Sequence, residues 1–275
     1  MDKLRFGSAG IPISTKKGGS VKGIEQVRNL NLDAMELEFV RSIHITKEKA
    51  PEVKNVAKKN DVVLTCHAPY FINLNSDDKK KFYASIGYIK NSAIITSMCG
   101  GYSVCFHAGY YQKIDPKRVY DRIKEGIKII VKDIKEIDDK IWIRPETSGK
   151  ISQFGTMQQI IDLSLEFDNV LPCIDWSHLH AITNGKSNTT EEFREVLTLM
   201  EKKLGRKALD NVHFHCQGVE YNETGERHHM NLKESDLNYS DLVNTWKEFK
   251  LRGVIIAESP NVEEDAILLN EMYYK

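Results

Sequence analysis

The segment SVCFHAGYYQKIDPKRVYDRIKEGIKIIVKDIKEIDDKIWIRPE, residues 103–146, decides the fold. It opens on a short apolar run, Ser103-Val104-Cys105-Phe106-His107, and closes on another, Ile141-Trp142-Ile143-Arg144-Pro145-Glu146. Between them, over residues 116–137, apolar side chains recur at helical spacing. The unit therefore reads strand, helix, strand. Both strand-like runs end on a residue able to bind a metal, His107 in one and Glu146 in the other.

Outward from this unit the same alternation fills the chain. Strands are expected at 4–8, 34–39, 62–67, 103–107, 141–146, 171–175, 211–215 and 253–258. Helices are expected at 22–31, 47–60, 79–98, 116–137, 156–167, 190–204, 239–250 and 262–273. Eight strands alternating with eight helices predict an α/β chain closed into a (β/α)8 TIM barrel, one domain over residues 1–275. An open doubly wound sheet usually needs fewer strands and carries a G-x-G-x-x-G turn after the first. Gly18-Gly19 and Gly100-Gly101 lack that spacing and read as loops.

Composition narrows the class. The chain has 275 residues, 41% of them hydrophobic, enough for a sizeable core. Mean hydropathy is negative, and no apolar run approaches the length of a membrane span. Met1-Asp2-Lys3-Leu4-Arg5-Phe6 has no apolar stretch after its charges, so no signal peptide is expected. Five scattered cysteines, Cys66, Cys99, Cys105, Cys173 and Cys216, form no C-x-x-C pair and read as reduced thiols in a cytoplasm. The formal net charge of zero gives no bulk electrostatic support to a nucleic-acid partner.

Position carries the functional argument. The last residues of strands three to eight are His67, His107, Glu146, Asp175, His215 and Glu258. Active sites of such barrels are built at that end of the strands. One polar strand end is unremarkable, but six in succession are hard to obtain by chance. An unpaired polar group at the inner rim would cost on the order of 1–3 kcal/mol, which a metal offsets for several at once. His and carboxylate donors without cysteine suit zinc or manganese. Paired ions are a recurring device for displacement at phosphorus, and a carboxylate such as Glu146 can bridge them.

Two further elements extend the set. Asp175-Trp176-Ser177-His178 is a D-x-x-H pair just past strand six, and Gly225-Glu226-Arg227-His228-His229 lies in the long insertion after strand seven. In an extended strand Glu226 and His228 share a face while His229 points the other way. Glu226 and His228 with His178 would then make a separate three-donor site. His44 reads as structural, His180 and His229 as supporting partners of the donors, and His213 as a deeper competitor of His215.

These motifs, in order, resemble the endonuclease IV family of apurinic/apyrimidinic endonucleases, on the xylose isomerase-like TIM barrel. The resemblance rests on His67-Ala68-Pro69-Tyr70-Phe71-Ile72-Asn73-Leu74, Phe106-His107-Ala108-Gly109, Glu146-Thr147 with Gly149, Cys173-Ile174-Asp175 with His178, Arg227-His228-His229 and Glu258-Ser259-Pro260-Asn261. It spans residues 4–262, and its archaeal-type members are closer than the bacterial form.

The resemblance implies three zinc ions, with manganese able to take some sites. His67, His107 and Glu146 would hold one. Glu146, Asp175, His215 and Glu258 would hold a second, with Glu146 bridging. His178, Glu226 and His228 would hold the third. Catalytic roles fall to Glu146 and Glu258, and DNA contacts to Tyr70 and Arg41. The implied reaction is cleavage 5′ to an abasic site in double-stranded DNA, leaving a 3′-hydroxyl and a 5′-deoxyribose phosphate, in base excision repair. No protein partner is implied, and a monomer is expected. Two departures stand out: Glu226 where the family commonly has Asp, and Cys216-Gln217-Gly218 after strand seven. The rival expectation is a metal-dependent sugar isomerase or epimerase on the same barrel, which has no need of a third site.

Overall fold

The computed structural model describes residues 1–138 and 140–275. Among them eight parallel strands form one sheet: β1 (Leu4–Ala9), β2 (Ala34–Glu38), β3 (Val63–His67), β4 (Ser103–Phe106), β5 (Trp142–Pro145), β6 (Ile174–Asp175), β7 (Val212–His215) and, after an inserted hairpin, β10 (Gly253–Ala257). Their lateral order is β5-β4-β3-β2-β1-β10-β7-β6. The ends of that order meet through single parallel bridges, Ile143 to Val170 and Glu146 to Cys173, so the sheet curls into the expected TIM barrel. Strand six was expected from residue 171, yet its regular ladder is only Ile174–Asp175. Pro172 is the reason: with no N–H it interrupts the ladder and leaves isolated bridges on either side.

The helices follow from local chemistry. In α4 (Pro116–Lys135), Val119, Ile123, Ile127, Ile130 and Ile134 form one buried stripe, and Asp115 caps the start by accepting from the Arg118 N–H at 3.1 Å. Capping boxes open α5 (Met157–Glu166) and α7 (Thr190–Leu204), through Thr156 with Gln159 and Thr189 with Glu192. The main core lies between strands and helices, where Phe6, Phe214, Trp176 and Trp246 are buried. A small cluster of Ala34, Val254 and Ile256 fills the lower barrel interior. All five cysteines are free and buried, as expected of small core residues. No helix among the described residues is long and apolar enough to cross a membrane.

Two of the elements outside the eight-unit reading shape the site. One is α6 (Trp176–Ile182), which starts directly on Asp175. The other is an antiparallel hairpin after β7, made of β8 (Gly218–Asn222) and β9 (Gly225–Met230). Both sit at the C-terminal ends of the strands and decide what the site contains.

Candidate metal centre

Side chains alternate along a strand, so one face of each barrel strand points inward. On β7, Phe214 joins the outer core while His213 and His215 face the interior, both fully buried. The inward set at the strand ends converges on Glu146, itself fully buried just past β5. Its Oε2 lies 3.2 Å from His67 Nε2 and 3.6 Å from His107 Nε2. Its Oε1 lies 3.2 Å from His215 Nδ1 and 3.4 Å from His178 Nδ1. One carboxylate thus stands between four imidazoles, two to each oxygen.

The D-x-x-H pair has a structural cause. Asp175 caps α6, its Oδ1 accepting from the His178 N–H at 2.8 Å. That cap fixes the first turn and brings the His178 ring back over the barrel mouth. There Nδ1 donates to the Thr147 carbonyl at 2.9 Å, and Nε2 faces Glu226 Oε2 at 3.3 Å.

The same orientation recurs around the site. His67 Nδ1 donates to the Ala68 carbonyl at 2.7 Å, and His229 Nδ1 to the Glu258 carbonyl at 3.1 Å. A carbonyl can only accept, so each ring turns its Nε2 toward the carboxylates. His215 is turned the other way: Nε2 meets Glu36 Oε1 at 3.0 Å, and Nδ1 faces Glu146 and, at 3.5 Å, Glu258. Metal-binding histidines are oriented in this manner, one nitrogen held by a carbonyl or carboxylate and the other presented. Donor separations of 3.2–3.6 Å also fit the roughly 3.3–3.5 Å expected around one ion with bonds of about 2.0–2.1 Å. Glu146, Asp175, His215 and Glu258 form one such group, and His178, Glu226 and His229 another.

Electrostatics follow from this crowding. Burial disfavours the ionised Glu146 carboxyl, but the His107 and His215 charges and the His178 and His215 hydrogen bonds hold it well below the usual range. Burial pulls the His67 imidazole down, yet the hydrogen bond and charge of Glu146 carry it up to about 10. His107, with no partner on its buried Nδ1, is pushed down by burial to about 4. For Glu226 burial is outweighed by His178, which brings the carboxyl down to about 2.

The hairpin corrects one expectation. His228 does not join His178 and Glu226; its Nδ1 pairs with Glu220 Oε2 at 3.0 Å on the outer face, where the side chain is 61% exposed. His229 stands in its place, with Nε2 3.5 Å from Glu226 Oε1. The cause is a β-bulge. Glu220 pairs with His228 and Tyr221 with Glu226, so Arg227 is an extra residue on its strand. One extra residue shifts the alternation, and positions 226 and 229 share the inward face. The hairpin is seated by Gly225 (φ +99°), where a Cβ would lie 2.0 Å from the Gly149 carbonyl oxygen. The Glu226 N–H donates to that oxygen at 2.8 Å.

Other expected residues fall as follows. His213 is paired below the site with Glu36 at 2.8 Å and is no competitor of His215. His180 holds the Lys186 carbonyl and Asp236, and His44 is exposed against Phe39. Tyr70, 56% exposed, lines the mouth, and its N–H ties it to the Val40 carbonyl beside the exposed Arg41. Residue-by-residue reading missed Glu36 and Glu38 on β2, which begins one strand before the strand ends that drew attention. The alternation Ala34-Met35-Glu36-Leu37-Glu38 carried the signal, since both carboxylates occupy inward positions. It also missed a use for Gln217, whose Nε2 donates to Asp175 Oδ2 at 2.7 Å.

Of the donors, His67, His107, His178, Glu226, His229 and Glu258 line a cavity of about 510 Å³ at the barrel mouth. Val262, a β-branched residue at φ +51°, closes one side of it. Such a backbone costs about 1–3 kcal/mol and tends to persist at functional sites. A second cavity of about 530 Å³ beside Trp142, at the opposite end, gathers no imidazole.

Comparison with known proteins places the chain. The family model described as xylose isomerase-like TIM barrel matches residues 24–272. An uncharacterized protein of Methanocaldococcus jannaschii, MJ0133, is 39% identical over 98% of this chain and 97% of its own length. A probable endonuclease 4 of Mycoplasma pneumoniae is 23% identical over 76% of this chain and 71% of its own. Among solved structures, endonuclease IV from Thermus thermophilus superposes with a TM-score of 0.73 at 17% identity, covering 97% of both chains. A D-tagatose 3-epimerase-like protein gives 0.73 at 18%, covering 97% of this chain and 96% of its own. The resemblance to endonuclease IV is thus borne out in relatives, while the fold by itself is shared with epimerases.

Proposed function

Since the chain belongs to the xylose isomerase-like TIM barrel family, whose fold serves more than one chemistry, the site must choose, and we propose that it is a metal-dependent endonuclease cleaving DNA 5′ to abasic sites. The observation that carries this reading is the convergence of His67, His107, His178, His215 and His229 on carboxylates, each of the five bringing one ring nitrogen to Glu146 or Glu226. A sugar isomerase or epimerase on this barrel has no need of a third metal site, which leaves the grouping of His178, Glu226 and His229 unexplained.

The donor groups fit divalent cations. His67, His107 and Glu146 would hold one, Glu146, Asp175, His215 and Glu258 a second, and His178, Glu226 and His229 a third. Bound zinc would supply charge at the phosphodiester and lower the pKa of water. The protein's own residues do the rest. Glu36 and the Ala68, Thr147 and Glu258 carbonyls keep the rings in one orientation. Gln217 does the same for Asp175. Tyr70, with Tyr110 also exposed at the rim, offers aromatic surface to a duplex whose abasic nucleotide costs little to extrude.

The direct test is a duplex with one tetrahydrofuran abasic analogue, given to protein whose metal content has been measured. Nicking on the 5′ side of the analogue, with more than two ions per chain, is expected. A single ion and turnover of a ketose instead would establish the epimerase reading.

Metal uptake should also depend on pH with a definite sign. In the metal-free cluster His67 stays protonated up to about 10. A cation needs that nitrogen's lone pair, so loading at pH 8 expels protons and affinity rises with pH toward 10. An indicator dye in weakly buffered solution reads the release. No release at pH 8 would mean that the His67 ring is already neutral there.

A further inference from the structure

One side chain in the cavity has no part in the donor groups. Lys150 is the only Lys or Arg lining it among the described residues. Its main chain is fixed: the N–H donates to Ser148 Oγ at 3.2 Å, the carbonyl accepts from the Gln153 N–H at 3.0 Å, and Lys150 bridges Gly225 of the hairpin. Its ammonium is less committed. Nζ stands 3.9 Å from Glu226 Oε2, the outer limit of an ion pair, and the side chain is 42% exposed. Glu226 meanwhile has two nearer partners, His178 Nε2 at 3.3 Å and His229 Nε2 at 3.5 Å. Exposed pairs of this kind contribute little to stability. A flexible cation placed over a crowd of carboxylates and imidazoles, and only weakly held by one of them, is free to meet an incoming anion.

We infer that Lys150 binds an anionic oxygen of the nucleic-acid backbone at the Glu226 side of the cavity and selects a phosphodiester over a neutral sugar. This rests on the nuclease reading above. The chemistry is that of any cation–phosphate contact: a charge-assisted N–H···O bond of about 2.7–2.9 Å, with release of a condensed counterion from the DNA. A cation shared by Glu226, His178 and His229 would neutralise the carboxylate that now faces Nζ, and would leave the ammonium directed to the substrate.

The test compares wild type with Lys150→Gln and Lys150→Arg, each first checked for metal content and melting temperature. The main-chain bonds of residue 150 survive both changes, so the fold should hold. Binding is read on the already nicked product duplex, which cannot turn over, across a salt series. For Lys150→Gln the slope of log Kd against log salt should fall by about 0.9, and kcat/KM on the abasic duplex by about tenfold to a hundredfold. Lys150→Arg should keep the wild-type slope. If wild type nicks the duplex while Lys150→Gln matches it in slope and kcat/KM, the inference fails and the nuclease reading stands. If wild type neither binds nor nicks, both fail together. A ketose phosphate is the other source of the same charge; Lys150-dependent binding of it in place of duplex would overturn the assignment to a nucleic-acid phosphate.

Discussion

Glu146→Gln should abolish nicking of the abasic duplex, by on the order of a thousandfold or more, while the protein still binds the duplex. The amide preserves volume, so the barrel mouth keeps its shape. What it removes is the charge on which four rings converge: His67 and His107 at Oε2, His178 and His215 at Oε1. An amide also offers two N–H donors where ring nitrogens now face an acceptor. In the metal-free protein the His67 imidazole should titrate lower than in wild type, with only the Glu258 and Glu38 charges left to raise it. Burial alone lowers an imidazole, and without Glu146 the main influence raising this one is gone. The variant should therefore bind fewer ions and release fewer protons on loading. On the proposed reading the duplex is met at the rim, where Tyr70 lines the cavity and Glu146 does not. Metal content, nicking rate and duplex affinity measured on one preparation separate these effects. Wild-type turnover in the variant would remove Glu146 from any bridging role.

The strand-end donors were legible because position in a parallel barrel is a one-dimensional property. A strand points its inward residues by alternation and stops where the apolar run stops, so His67, His107, Glu146, Asp175, His215 and Glu258 can be placed by counting. Helices such as α3 (Lys79–Met98) and α7 were equally readable, since caps and apolar stripes are local. What escaped counting depends on contacts distant in sequence. Glu36 acquires its meaning only opposite His213 and His215, on a strand that lies beyond β1 and β10 across the sheet. Gln217 reads in the sequence as a departure from a motif, and its role comes from Asp175, which is 42 positions away in the chain. Short α6 was hidden inside the D-x-x-H pair, where a helix cap and a ligand spacing coincide. Lys150 carries no pattern at all in the sequence; it matters because a glycine carbonyl at 149 docks the hairpin beside it.

His229→Ala should lose one bound ion per chain and on the order of a hundredfold or more in nicking, whereas His228→Ala should stay within about threefold of wild type. The opposition follows from one residue of register. In a flat strand Glu226 and His228 would share the inner face, the arrangement that the family resemblance implies. Here Tyr221 opposes Glu226 and Glu220 opposes His228, which leaves Arg227 with no partner residue across the ladder and turns the alternation over. His229 then reaches Glu226 Oε1 at 3.5 Å, and its Nδ1 is held by the Glu258 carbonyl at the tip of β10. His228 is left with Glu220, in solvent, where its removal disturbs a half-exposed carboxylate and no other group of the site. The longer Glu at 226 is compatible with this arrangement, since its Oε2 still reaches His178 Nε2 at 3.3 Å. The bulge is also the kind of feature expected beside an active site, where it re-aims a side chain. Metal counting on the two variants decides between the registers. If His228→Ala loses the ion and His229→Ala keeps it, β9 lies flat in the loaded protein and the third donor is His228.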